Sequence, residues 1–270
     1  MGKFKKALEH IASDKMTQKR RKRLIVFIAV ITMLSMVSAT VAWFSVNTFA
    51  GVDTLNVHIS VSAQLKVSME DHGKNLDQYV KTITNDMIDG YLGSKYNTRL
   101  ADIKLDPVTT SNGTRLTNRG GTERQPNNKS YLEFEFYFIA TEPMWVHLTT
   151  EASDIEGDKG TQVTSASPSP KSEVVQCTRV SFTTDADGTA TYEPNKAGQV
   201  TSLNTFDIGT PMTYTNSSRL LHLDELTPKK VTLRLWVEGE DPQCDDDVQE
   251  ADLNVALSFV GTDDNNVPIS

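Results

Sequence analysis

Cysteine is almost absent from this 270-residue chain: it has two, Cys177 and Cys244, too few for a disulfide-dense scaffold. Fifteen Gly and ten Pro are neither collagen-like in number nor enough for a disordered, low-complexity chain. No H-E-x-x-H, G-x-S-x-G, Walker loop or G-x-G-x-x-G occurs, so the sequence carries no familiar catalytic or phosphate-binding motif and reads as a non-enzyme. Charge is also missing where it matters. Residues 24–52 contain none, whereas residues 1–23 hold nine Lys and Arg against Glu9 and Asp14. The remainder, from Asp53 onward, has 18 bases against 33 acids. Such an acidic body excludes nucleic acid as the main partner, because phosphate binding requires clustered bases.

What is present begins with a basic block, Lys19-Arg20-Arg21-Lys22-Arg23, followed by Leu24–Val46 without a charge. As a helix, those residues would span about 35 Å, enough for a hydrocarbon core. The preceding bases place the N-terminus on the cytoplasmic side and everything after Val46 outside. The expected organisation is therefore a basic cytoplasmic leader (1–23), a signal or transmembrane helix (24–46) that engages the membrane, and an extracellular domain (47–270). Two readings of the helix stay open. It is either a retained single-pass anchor, or an export signal cut by signal peptidase between Ala42 and Trp43, where Thr40 and Ala42 supply small residues at the cut.

The exported body alternates apolar and polar residues. Leu55, Val57, Ile59, Val61, Ala63, Leu65 and Val67 share one face over fourteen residues, which reads as one strand or as two meeting at a bend. Tyr131–Thr141, 231–237, 253–259, Trp145–Thr150 and Val174–Thr184 repeat the pattern, with Thr232, Arg234 and Trp236 on the polar face of one of them. The expected fold is mostly β, a two-sheet sandwich or jelly roll with one accessory helix at Asn75–Tyr91 stopped by Gly90. Residues 111–130, 154–173 and 184–200 read as long polar surface loops.

Candidate sites are few. His58 and His147 fall on the polar faces of their strands, where a surface role is expected. Cys177 and Cys244 would both be exported, and either pair as a disulfide or stay free. Glu240, Asp241, Asp245, Asp246 and Asp247 crowd one turn with hard oxygen ligands, so an extracellular calcium site competes with a plain solvated acidic turn. No other cofactor is expected. Trp43–Val52 is apolar and uncharged; if freed by cutting, it could complete an open sheet of a neighbouring copy, with Trp43, Phe44, Val46, Phe49 and Val52 as anchors.

The boundary Ala39-Thr40-Val41-Ala42-Trp43-Phe44-Ser45, then Asn47-Thr48-Phe49-Ala50-Gly51 and Thr54-Leu55-Asn56-Val57, resembles the N-terminus of the TasA/camelysin family. These are secreted Gram-positive proteins whose signals are cut by a peptidase of the SipW type. The resemblance covers about residues 19–57. It implies a cell-surface or biofilm-matrix protein, possible in fibre form through donation of the N-terminal segment, with a camelysin-like surface metallopeptidase as a remote alternative. The main alternative, from the residues themselves, is a membrane-tethered single-pass ectodomain that binds a ligand or partner through its loops. The turn Trp236-Val237-Glu238-Gly239-Glu240-Asp241-Pro242-Gln243-Cys244 is similar to turns in uncharacterised exported proteins of Firmicutes.

Overall fold

A computed structural model describes residues 50–59, 64–154, 157–196, 198, 201–209 and 212–269, together with Gln18, Lys22, Arg23 and residues 25–31. The chain divides into two units, Met1–Asn47 and Thr48–Ser270. In the first, residues 25–31 are helical and expose Ile25, Val26, Phe27, Val30 and Ile31. Among the described residues no helix is long and apolar enough to cross a membrane. Most of the expected helix 24–46, with the Ala42–Trp43 bond, lies outside the described residues.

The second unit is mostly β. One sheet runs β10 (Arg219–Leu223), β6 (Met144–Leu148), β12 (Asp252–Thr262), β1 (Ala50–Ile59), β3 (Thr82–Ile83), with β4 (Lys104–Leu105) added on β1 and β7 (Gln162–Thr164) on β12. The other runs β2 (Leu65–Ser68), β5 (Tyr131–Ala140), β11 (Lys229–Val237), β8 (Thr178–Thr184), β9 (Gly188–Tyr192). Pairing is antiparallel except between β1 and β12, which run parallel from Gly51↔Asp252 to Ile59↔Phe259.

The alternating residues do what their period requires. Leu132, Phe134, Phe136 and Phe138 of β5, Val231, Leu233, Leu235 and Val237 of β11, and Leu253, Val255, Leu257 and Phe259 of β12 are all buried in one core. Both sheets contribute to it. Phe259 lies edge-on to Phe138 at 5.0 Å and to Phe182 at 5.6 Å between ring centres, favourable aromatic geometry. Along 55–68 the alternation continues across a change of sheet, since β1 and β2 belong to different ones. A period of two reports the facing direction of side chains and is unaffected by which sheet they join.

Four expectations need correction. The helix is Asn85–Tyr96, not Asn75–Tyr91. Thr82-Ile83-Thr84 is β-branched, stays extended and pairs with β1. Thr84 then precedes the first helical turn. The helix runs through Gly90 and ends where Asn97 adopts a left-handed φ of 52°. Asn85 Oδ1 accepts from Leu55 N at 2.9 Å and fixes the helix to β1. Second, Val174–Cys177 is a short helix, so Cys177 precedes the strand Thr178–Thr184 instead of lying in it.

Third, 184–200 contains β9, which forms a hairpin with β8. The stretch 154–173 likewise contains β7 and a buried anchor. Asp158 accepts from Ser153 N and Oγ, Gly160 N and Ser258 Oγ, and these four bonds hold its carboxyl below the usual range. Fourth, the polar faces of the strands are partly roofed. Trp236 is fully buried in a small second cluster with Val108, Leu116, Tyr131 and Leu203, because segment 106–130 folds across the outer face of its sheet. Ser181 Oγ donates to Gly113 O there. Gly113 has φ +72°, and a Cβ on it would come within 2.9 Å of Thr189 and Thr191, so that crossing needs glycine.

Candidate functional site

Beneath this roof lies a buried ionic cluster. Arg179 stands opposite Trp236 in the β8–β11 register and is completely enclosed. Its Nη2 meets Asp241 Oδ2 at 2.5 Å and Glu193 Oε1 at 3.0 Å, while Nη1 donates to the carbonyls of Gln176 and Thr178. Glu193 is held in turn by Thr205 Oγ1 at 2.6 Å. Nearby, Glu238 accepts from Trp236 Nε1 at 3.1 Å, and burial raises the Glu238 carboxyl above its ordinary value. A buried guanidinium is tolerable only with such pairing, since desolvation would otherwise cost several kcal/mol.

This cluster redistributes the acidic turn. Asp241 is committed to Arg179. Asp245 accepts from Asp247 N and caps the short turn Asp246–Val248, and Asp246 accepts from Gln249 Nε2. Glu240 is exposed. Among the described residues no three His, Cys, Asp or Glu side chains are gathered as a metal cage. The five acids are thus adjacent in sequence without converging on one point.

The cysteines do converge. Glu238 N donates to Cys177 O at 2.8 Å, and Cys244 N to Asp241 O at 2.9 Å. The two buried thiols meet, both in the free form. Contact with Cys244 together with burial pushes the Cys177 thiol far above its usual range.

Of the expected assembly residues, Trp43, Phe44, Val46 and Phe49 lie outside the described residues. Val52 is buried in its own domain, across from Leu253. It is therefore part of the native sheet, and any donated segment ends before β1 at Ala50.

The histidine expectation is overturned. His58 is buried, 3.4 Å from Thr82 Oγ1, under the β3 crossing. His147 is wholly buried because segment 212–218 covers its strand: Tyr214 packs edge-on at 5.4 Å and Ser218 Oγ lies 3.3 Å from Nδ1. Among the described residues its Nε2 has no partner. Burial, with the Arg219 charge adding to it, pulls the imidazole down to about 4.

Between the edge strands β9 and β10 lies an open cleft of about 460 Å³, lined by Asp187, Thr191, Asn204, Phe206, Asp207 and Arg219 among others. Sequence reading missed this cleft and the Arg179 cluster. A lone Arg within the alternating Thr178–Thr184 run was the one available signal for the cluster. The cleft depends on β9, inside a stretch that reads as loop, and on β10, for which the sequence reading assigned no element. No protein-family model, curated protein or solved structure matches the chain.

Proposed function

We propose that this chain is an exported surface or matrix structural protein, a β-sandwich of jelly-roll type behind an N-terminal signal or membrane helix. Cutting at Ala42–Trp43 frees its N-terminal segment, and copies assemble as a fibre when residues 43–49 of one complete an open sheet edge of the next. The observation that carries the reading is the order of elements at the front. A basic block leads into helical residues 25–31 with five large exposed apolar side chains, and the first strand starts at Ala50. The apolar stretch Trp43–Phe49 stands between them in sequence, charge-free and upstream of a domain whose edge strands β9, β10 and β2 each have, among the described residues, one flank unpaired over part of its length. Extended apolar peptides bind such edges through main-chain hydrogen bonds and alternate side-chain pockets.

A tethered ectodomain is the second reading, favoured by the polar β9–β10 cleft. The two differ at one bond. N-terminal sequencing and intact mass of the native protein, from membranes and from medium separately, test the difference. A chain beginning at Trp43 is expected; a full-length chain confined to membranes would leave no free segment and overturn the fibre.

A further inference from the structure

The cysteine pair is a feature that fibre assembly does not use. Two contacts tie its two segments together without any help from sulfur, Glu238 N to Cys177 O and the Arg179–Asp241 ion pair, and Cys244 N closes a local turn onto Asp241 O. Each thiol reaches the other across this frame, and no third cysteine exists to compete. Cys177 is fully enclosed and Cys244 nearly so.

We propose that Cys177 and Cys244 form a disulfide in the exported protein, and that the bond forms before the turn 238–250 closes over them. The compartment half of this proposal rests on the export reading above. In the reaction each thiol gives up its proton and one sulfur–sulfur bond forms. The two electrons pass to a disulfide-bearing oxidant, a small molecule or a thiol oxidoreductase, which leaves as two thiols. The exchange passes through a mixed disulfide, so the oxidant must first reach one of the two sulfurs. In the closed fold Cys177 is fully enclosed, Cys244 nearly so, and the Cys177 thiol resists ionisation. Oxidation of the folded, reduced chain therefore waits for local opening. Once made, the bond closes a 68-residue loop, which shifts the unfolding equilibrium by about a thousandfold in the chain-entropy description.

The test uses the full chain in detergent with glutathione disulfide as the oxidant. Added during refolding, it is expected to give a product lighter by two hydrogens that takes up no alkylating agent when denatured. Added after reduced refolding, it should act about a hundredfold more slowly or worse, limited by opening. Equal rates would overturn the order of events. A pair still alkylated after refolding with oxidant would overturn the disulfide, whatever the compartment. The native chain, alkylated on isolation, is expected to carry the bond. Free thiols there, alongside ready oxidation in vitro, would overturn the export reading and the claim for the native protein with it.

Discussion

Acidification should weaken this domain through His147 before its carboxylates titrate. The imidazole is sealed beneath Tyr214 and Ser218, its Nε2 has no partner among the described residues, and Arg219 adds a like charge. Its folded pKa falls from the ordinary 6.5 to about 4. Below pH 6.5 the unfolded chain takes up a proton that the folded chain refuses, so stability declines from there and levels off near pH 4. The gap of about 2.5 pH units corresponds to about 3 kcal/mol. Other groups act nearby. Asp207 and Glu238, raised by burial, favour the fold as pH falls, whereas Asp158 and Glu135, lowered by their hydrogen bonds, oppose it below the usual carboxylate range. A His147→Leu variant separates them, since Ser218 Oγ keeps its bond to Thr215 O. Urea unfolding at a series of pH values from 7.5 to 4 should give curves that diverge by about 3 kcal/mol, the wild type losing more. Parallel curves would refute the reasoning.

Two further substitutions probe the frame. Arg179→Met leaves Glu193 and Asp241 buried without their cation and should cost about 3–5 kcal/mol in urea unfolding, with Arg179→Lys restoring little because one ammonium cannot reproduce the forked contacts. Phe259→Ala removes the ring that touches Phe136, Phe138 and Phe182 and should cost about 3–5 kcal/mol, read by thermal or urea denaturation.

The strands were legible because one face of each is apolar, and the inward residues of β5, β11 and β12 follow directly from the period. What the period cannot report is a roof. Trp236, His58 and His147 sit on polar faces and are buried all the same, each covered by a segment distant in sequence. The same limit applies along 55–68, where uninterrupted alternation runs through two different sheets. Short β9 and β10 were missed because neither shows a clean apolar alternation: Gly188–Tyr192 offers only Ala190 and Tyr192, and Arg219–Leu223 sets Leu220 beside Leu221 where the register slips. At the candidate site, composition located the acidic turn. Its chemistry was set by Arg179, 62 residues before Asp241, which draws that acid inward and away from any shared ligand set.

Assembly by the N-terminal segment is the central claim, and electron microscopy of the processed protein tests it most directly. The comparison is between the wild type and a chain with Phe44→Asp, Val46→Asp and Phe49→Asp, which keeps the Ala42–Trp43 boundary and all of β1 from Ala50. The account predicts fibres from the wild type, and from the variant monomers with an unchanged urea midpoint. Fibres from both chains, or monomers from both, would contradict it.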